Sequence, residues 1–320
     1  GYNGTERLGK GDRFEFFPAV SLGWLVSNEK FFEPLSDVVS SLKLRGSYGL
    51  VGSDETGPSN APHFLYIDQV QVTGNGRPGF TTGENLNVSY YGPVVQQWAV
   101  QNGGWERVKK LDVGFDMELF RELSITFDFF YDKRYNILLH REAWPQSLGF
   151  HEAKPWSNKG KVDNWGYEVS TNWRKQFTKD LTVDFRGTFT YTQNKYIDVD
   201  EPIYPYVWQT ATGKPLNRRN GYIAEGLFQS QEEIDNSPTQ NLGSKPMPGD
   251  IKYRDVDGNG VIDSKDQVMI SKTANMPRIQ YGFGVNIDWK RFNFGVFFNG
   301  SAMRDINING LHPFGQNDYN

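Results

Sequence analysis

The stretch Leu123-Ser-Ile-Thr-Phe-Asp-Phe-Phe-Tyr131 shows the pattern that dominates this chain. Apolar and mostly polar residues alternate along it, with Leu123, Ile125, Phe127, Phe129 and Tyr131 in the apolar positions. Successive side chains of an extended strand point to opposite faces, so this alternation puts the apolar residues on one face. The stretch therefore predicts a β-strand with one apolar and one polar face.

The same alternation recurs in runs that begin at Leu111, Leu181, Tyr281 and Phe292. These runs are longer than the usual globular strand of about 5–6 residues. They match a tilted membrane-spanning strand of about 9–11 residues better. Their polar faces carry charges such as Asp128, which suit either a wet barrel lumen or bulk water. Alternation alone predicts antiparallel β structure, but it does not distinguish a barrel from a sandwich.

The lengths of the connections favour the barrel. Short turns at one end of the strands and long loops at the other are typical of outer-membrane barrels, and compact soluble domains rarely hold several loops beyond about 15 residues. Short links are expected at Arg121-Glu122, 175–180 and Lys290-Arg291, and long loops at about 50–106, 136–165 and 193–278. The fold class predicted is therefore all-β: an antiparallel transmembrane β-barrel segment with long extracellular loops.

Aromatic residues near the expected strand ends suit the interfacial girdles of such a barrel, although cross-strand packing would also explain them. These residues are Tyr131, Tyr135, Tyr191, Trp173 and Trp289.

Composition excludes several classes of protein. The 320 residues carry a net charge of −4 with both signs interspersed, which does not suit a nucleic-acid surface. The chain contains no cysteine, which removes disulfides, thiolate metal sites and thiol nucleophiles. Mean hydropathy is −0.61, and no run approaches the ~18 apolar residues of a membrane helix.

The segment Asp255-Val-Asp-Gly-Asn-Gly-Val-Ile-Asp-Ser-Lys-Asp266 matches a calcium-binding loop position by position. Calcium prefers six to eight hard oxygen ligands, and such a loop supplies them at alternating positions around a glycine that bends sharply, here Gly260. No helix pair flanks the segment, which predicts a structural ion rather than a sensor. The predicted Ca²⁺ ligands are Asp255, Asp257, Asn259, the Val261 carbonyl, Asp263 and Asp266.

No catalytic set is found. His63, His140, His151 and His312 lie far apart in the sequence, each without a metal-ligand neighbour at helical spacing. The sequence therefore predicts a protein that is not an enzyme.

Six segments resemble the SusC/RagA family of TonB-dependent outer-membrane transporters, and they occur in the family's order. They are Phe17–Trp24, Ser41–Gly49, Trp105–Asp116, Asn158–Glu168, Glu225–Asp235 and Pro248–Asp263. The resemblance covers nearly the whole chain.

The resemblance implies a roughly 22-stranded barrel with a plug and a TonB-contacting segment, located in the cell outer membrane. Neither the plug nor the TonB-contacting segment is found in residues 1–320, so the chain is expected to be a C-terminal-half portion of a longer polypeptide. The resemblance also implies import of a glycan, sometimes a peptide, with a SusD-like lipoprotein as partner. Tryptophans on the long loops are the candidate cargo contacts, because sugar faces stack on aromatic rings: Trp98, Trp144, Trp156 and Trp208.

Two other interpretations remain open from the residues alone. One is a soluble, calcium-stabilised β-rich module that binds glycans or mediates adhesion. The other is an outer-membrane enzyme on a smaller barrel, which would need a catalytic cluster in its lumen. Solubility without detergent distinguishes the first from the transporter, and activity assays distinguish the second.

Overall fold

The computed structural model describes residues 1–55, 64–72, 80–90, 92–100, 103–144, 155–273 and 276–306. Within them, eight strands form one antiparallel sheet. The strands are β1 (Ala19–Leu25), β2 (Val39–Ser53), β3 (Glu106–Leu119), β4 (Leu123–His140), β5 (Trp156–Thr178), β6 (Leu181–Asp198), β7 (Ile279–Trp289) and β8 (Phe292–Ala302).

Each strand of the sheet pairs with its neighbour in the sequence, so the chain runs up and down from β1 to β8. The connections alternate as predicted. Short links lie at one end of the strands, at 26–38, 120–122, 179–180 and 290–291, and long ones lie at the other end, at 54–105, 141–155 and 199–278. We refer to these as the short-turn end and the long-loop end.

Two details of the predicted boundaries are wrong. The β3–β4 link is 120–122 rather than Arg121-Glu122, because Leu119 pairs directly with Leu123 and Phe120 leaves the ladder. Phe120 and Arg121 both have positive φ, 53° and 57°, a backbone twist that matches a tight hairpin. The strands also reach farther into the predicted loops, so the last long connection starts at 199 rather than 193.

One face of the sheet is apolar across its strands. The cross-strand register aligns Phe115 with Phe127, and their rings stack at 5.5 Å. Tyr167 continues this row against Phe127 at 6.4 Å and Phe189 at 5.9 Å. The four stacked rings are partly exposed, and Leu22 on the same face is 77% exposed. Such a face suits contact with lipid rather than water.

The opposite face is polar and holds ion pairs between strands. The Arg45 guanidinium on β2 lies 3.8 Å from Asp112, 3.3 Å from Asp116 and 2.5 Å from Asp128. These three carboxylates come from β3 and β4. In a barrel this face lines the lumen, where water and polar partners compensate charge.

The aromatic residues predicted as girdles divide into two groups. Trp173 and Trp289 do lie near the short turns. Tyr131, Tyr135 and Tyr191 lie farther from the strand ends than predicted, because β4 and β6 continue to His140 and Asp198. Beyond Tyr131, Lys133 on β4 lies opposite Asp163 on β5 on the same face. The apolar band therefore ends where these charged residues begin.

Shorter elements organise the connections. The helix Gln231–Asp235 is capped by Ser230, whose hydroxyl accepts from the Glu233 N–H at 3.2 Å. In the described part of the chain, 3₁₀ turns lie at Val26–Asn28, Lys30–Leu35, Val207–Gln209 and Ser264–Asp266. The short strand pairs are Tyr2–Gly4 with Phe14–Phe16, Gln69–Gln71 with Val94–Gln97, Phe80–Thr82 with Val88–Tyr90, Arg219–Gly221 with Val268–Ser271, Ala224–Leu227 with Ile251–Tyr253, and Thr239–Gln240 with Val261–Ile262. Among the described residues, no helix is long and apolar enough to span a membrane.

Candidate functional site

The predicted calcium loop lies at the long-loop end, and its backbone curls around the first carboxylate. Asp255 accepts hydrogen bonds from the Gly258 and Gly260 N–H groups, both at 2.8 Å. These glycines have φ of 73° and 82°, a left-handed backbone that strains other residues. The hydrogen bond from Gly260 is the main influence on the pKa of Asp255, which lies below its usual value, so this carboxylate stays charged at neutral pH.

Three of the predicted ligands converge. Carboxylate oxygens of Asp255, Asp257 and Asp266 lie within 4.8 Å of one another. Asp266 is fully buried and accepts from the N–H groups of Val256 at 2.7 Å and Asp263 at 2.8 Å. Each pair of like charges at such a separation costs about 1–4 kcal/mol, depending on the local dielectric. A divalent cation would remove this repulsion, and carboxylate oxygens are ligands that Ca²⁺ prefers.

The other predicted ligands lie at the edge of this cluster and have structural contacts. The Asn259 side chain accepts from the Val261 N–H at 2.7 Å and donates to Asp257 at 3.0 Å. Asp263 caps the turn Ser264–Asp266 by accepting from the Lys265 N–H at 2.7 Å. The structure thus gathers three of the six residues, and the residues present fit a hard divalent cation.

Beneath the loop, Ile262 is 1% exposed and supplies an apolar anchor. The adjacent strand Val261–Ile262 pairs in parallel with Thr239–Gln240, which ties the loop to the rest of the long connection.

Trp208 is attached to this loop, a relationship that the sequence did not reveal. Its indole N–H donates to the Lys265 carbonyl at 2.8 Å. Its ring stacks on Tyr206 with centroids 4.5 Å apart and planes 9° from parallel. A hydrogen bond from the Tyr206 hydroxyl to Asp257 raises the pKa of the tyrosine. The stacked pair therefore contacts the candidate cation loop through both aromatic residues.

The other candidate cargo tryptophans occupy different environments. Trp98 is 40% exposed at the long-loop end. Trp144 lies under the Arg141 guanidinium, 5.3 Å from its ring centroid. Trp156 is buried with Leu65 and Leu138, and its ring lies against His140 with centroids 3.7 Å apart and planes tilted by 33°. His63, His151 and His312 lie outside the described residues.

A family model described as "TonB dependent receptor-like, beta-barrel" matches residues 1–319. The chain belongs to this TonB-dependent receptor family. It is 26% identical to TonB-dependent receptor P3 of Formosa agariphila over 321 residues, which is 95% of this chain and 30% of that protein. It is also 26% identical to TonB-dependent receptor SusC of Bacteroides thetaiotaomicron, with 94% of this chain and 29% of that protein covered.

Among solved structures, the RagAB peptide importer in its closed-closed state is similar with a TM-score of 0.63 and 18% identity. The match covers 93% of this chain and 30% of that one. The chain therefore spans about 30% of the length of the receptors that it resembles.

These comparisons confirm several predictions for this TonB-dependent receptor. They confirm the resemblance to the SusC/RagA type, the antiparallel barrel fold and the location in the cell outer membrane. They also confirm a receptor rather than an enzyme. The soluble module is wrong, because a sheet from this family uses its exposed apolar face to contact lipid.

Proposed function

We propose that this chain forms part of the barrel wall and outer loops of a TonB-dependent importer of oligosaccharides. The observation that carries the proposal is the two-faced sheet, whose polar face suits a lumen and whose long connections all lie at one end. Strand hairpins at the opposite end are short, as on the periplasmic side of an outer-membrane barrel. The long-loop end is then extracellular, including the region 193–278 that the sequence indicated.

Cargo would meet the protein at the long loops. Trp98 is exposed, and Trp208 is held in a fixed orientation by Tyr206 and Lys265. A fixed aromatic ring can stack on a sugar face without losing much side-chain freedom on binding. Trp156 is less suited to cargo contact, since its ring is buried in a packed cluster. A peptide is the alternative cargo, and a SusD-like lipoprotein would cover the outer mouth while TonB supplies energy through a segment outside this chain.

The first experiment uses the full-length receptor extracted in detergent from outer membranes with an affinity tag. We expect an intact mass well above 36.6 kDa and a co-purifying lipoprotein. The purified complex should bind labelled oligosaccharides in preference to oligopeptides of similar size. A preference for peptides would show that the cargo is a peptide rather than an oligosaccharide. A protein of 36.6 kDa that purifies without a partner would contradict the proposed function as an importer.

Substitution of the loop tryptophans tests the cargo site directly. We expect Trp98→Ala and Trp208→Ala to weaken oligosaccharide binding about tenfold each, because loss of one stacking contact costs about 1–1.5 kcal/mol. Binding is measured by titration calorimetry. Trp173→Ala, at the short-turn end, is the control and should leave affinity unchanged. Equal effects at all three positions would point to general damage rather than to a cargo site.

We also propose that the loop at 255–266 holds a structural Ca²⁺ that stiffens the last long connection. Support comes from the three converging carboxylates and from the glycine-dependent turn around Asp255. The ion would be held by Asp255, Asp257 and Asp266, with Asn259, Asp263 and the Val261 carbonyl completing the oxygen set. It takes no part in chemistry.

Asp257→Ala tests the ion. It should remove a ligand and abolish the rise in melting temperature that added Ca²⁺ gives the full-length receptor, while Glu232→Ala in the same connection should retain it. The measurement is thermal unfolding in detergent with Ca²⁺ or with chelator. An unchanged calcium response in Asp257→Ala, together with no metal found by elemental analysis, would refute the proposal.

A further inference from the structure

The polar face of the last three strands has a band with cations and no acids. It consists of the side chains on that face from residues 186–192, 278–284 and 297–301, which lie side by side in the register. We refer to this band as the cationic strip. Its charged residues are Arg186 and Arg278, and none of its members is Asp or Glu. Its neutral members include the hydroxyl and amide side chains of Thr188, Thr190, Thr192, Gln280, Asn299 and Ser301.

The neighbouring strands differ, because acids are frequent on the same face there. Asp128 on β4 lies opposite Glu168 on β5. Arg45 on β2 lies within 3.8 Å of Asp112, Asp116 and Asp128, so its charge is compensated within the sheet. The cationic strip is therefore a local excess of positive charge beside a wall that carries both signs.

The two arginines lie at opposite ends of the strip. The Thr192 N–H donates to the Arg278 carbonyl at 2.9 Å, which places Arg278 beside Thr192 at the long-loop end. Arg186 lies farther along β6 toward the short turns, about 20 Å away at about 3.3 Å per residue. A chain of several sugar units that lies along the strip can therefore contact both guanidinium groups.

The inner arginine contacts an aromatic ring instead of a carboxylate. The Arg186 guanidinium lies 5.1 Å from the centroid of Phe297, which is 52% exposed on this polar face. The ring crosses β7, because a Cβ at Gly282 or Gly284 would come within 2.8 Å of it. A guanidinium stacked on a ring keeps N–H groups free to donate at its edge. An open cavity of about 540 Å³ here is also lined by Ser124, Thr126, Ser170, Asn172 and Thr188.

The outer arginine lines a smaller cavity with a second cation. Arg278 and Lys272 lie in the lining of this cavity of about 200 Å³, to which no described carboxylate contributes. Arg278 donates to the Gln193 side chain and to the Lys272 carbonyl, both at 3.5 Å and both neutral. Asp305 lies next to the cavity, where it accepts from the Thr273 hydroxyl at 3.0 Å. In the part of the chain that the structure describes, neither Arg186 nor Arg278 forms an ion pair.

These groups together fit a sugar chain that carries negative charge. Guanidinium groups donate paired hydrogen bonds to planar anionic groups such as carboxylates. Hydroxyl and amide side chains exchange hydrogen bonds with sugar hydroxyls, and an exposed ring packs on a sugar face. A wall of one sign in a confined channel raises the local concentration of ligands of the opposite sign. A neutral sugar would leave both arginines without a charge partner.

We propose that the cationic strip is a cargo path along the lumen wall and that the cargo is an anionic oligosaccharide. Its carboxylate or sulfate groups pair with Arg278 at the outer mouth and with Arg186 deeper in the lumen, where a sugar ring packs on Phe297. The inference rests on the proposed importer function and narrows its cargo to one chemical class. Charge complementarity between the strip and the cargo is the observation that supports it.

The test uses cells in which the gene for the full-length receptor is replaced by Arg186→Gln, Arg278→Gln or the control Arg174→Gln, so that native partners are present. Arg174 lies on the same face outside the strip and is paired with Asp184 at 3.5 Å. The probes are fluorescent oligosaccharides of matched length in three classes: neutral, uronate-bearing and sulfated. Surface binding is measured after the proton gradient is dissipated, and uptake is measured with the gradient intact.

We expect the wild-type receptor to take up anionic probes in preference to neutral ones, and the preferred class shows whether carboxylate or sulfate is recognised. Arg186→Gln and Arg278→Gln should each lower this uptake about tenfold, as for loss of one hydrogen bond between charged groups. Arg174→Gln should leave it unchanged. Variant melting temperatures are measured in parallel on the purified receptors.

Three results would overturn the inference. Preferred uptake of neutral probes would do so and leave the importer function intact. Uptake of labelled oligopeptides without any oligosaccharide would refute both the importer of oligosaccharides and the cargo path. A lower melting temperature of Arg186→Gln and Arg278→Gln with unchanged anionic uptake would show that these arginines bind another part of the receptor rather than cargo.

Discussion

Arg45→Met is expected to lower the melting temperature of the full-length receptor more than any other single change on the polar face. The substitution leaves Asp112, Asp116 and Asp128 facing one another without their shared cation. Removing one partner of a buried ion pair costs about 3–5 kcal/mol. Here the Arg45 side chain is 30% exposed and that of Asp128 is 19% exposed, so we expect about 2–4 kcal/mol.

A matched variant on the same face distinguishes the effect of losing the Arg45 cluster from the effect of losing any arginine. Arg174 is 70% exposed and lies 3.5 Å from Asp184. Exposed pairs of this kind contribute less than about 1 kcal/mol, so Arg174→Met should leave the melting temperature almost unchanged. Thermal unfolding in detergent at moderate salt measures both. Equal shifts in melting temperature for the two variants would show that the Arg45 cluster contributes no more stability than an exposed ion pair.

Asp266→Ala is the second change with a large expected effect. It removes the acceptor for the N–H groups of Val256, Asp257 and Asp263, all of which belong to the candidate cation loop. Each buried donor left without a partner costs about 1–3 kcal/mol. We therefore expect the loop to open and the connection 199–278 to become sensitive to proteases, with or without Ca²⁺.

Asp266→Asn distinguishes the two roles of this carboxylate. Its remaining oxygen can still accept from the Val256 and Asp257 N–H groups, but its amide NH2 then faces the Asp263 N–H. The connection should therefore be less sensitive to proteases than in Asp266→Ala, while any calcium response weakens. Asp235→Ala, an exposed residue of the same connection, is the control and should change neither readout. Limited proteolysis followed by mass mapping locates the cleavage sites. Resistance of Asp266→Ala equal to that of the control would contradict the structural role.

Much of the sheet could be predicted because one periodic signal runs through it. Leu123–Tyr131 alternates except at Phe130, because one face of the sheet suits lipid and the other suits water. The signal is interrupted beyond Tyr131, where Lys133 and Arg134 break the apolar row of the strand. Farther along, Leu138 packs with Leu65 and Trp156, and local alternation cannot reveal that contact because Leu65 lies far away in the sequence. This is why the predicted ends of β4 and β6 fell short.

The candidate site was predicted only as far as local spacing allows. Asp255, Asp257 and Asp266 converge as the loop pattern indicates. The pattern cannot tell a ligand from a cap, so it did not foresee Asp263 as the residue that starts the turn Ser264–Asp266. Nor could it join Trp208 to Lys265, because that contact depends on how a long connection folds back.

The order of strands in the sheet also has a consequence for how the molecule assembles. Every strand from β1 to β5 can pair with a neighbour supplied soon after it in the chain, except across 54–105. The β6–β7 pairing must instead close the connection 199–278, and each doubling of a flexible loop costs about 0.6 kcal/mol of chain entropy. Three strand pairs within that connection draw its ends together beforehand: Arg219–Gly221 with Val268–Ser271, Ala224–Leu227 with Ile251–Tyr253, and Thr239–Gln240 with Val261–Ile262. We expect the β7–β8 hairpin to pair with β6 only after the connection has acquired its own structure.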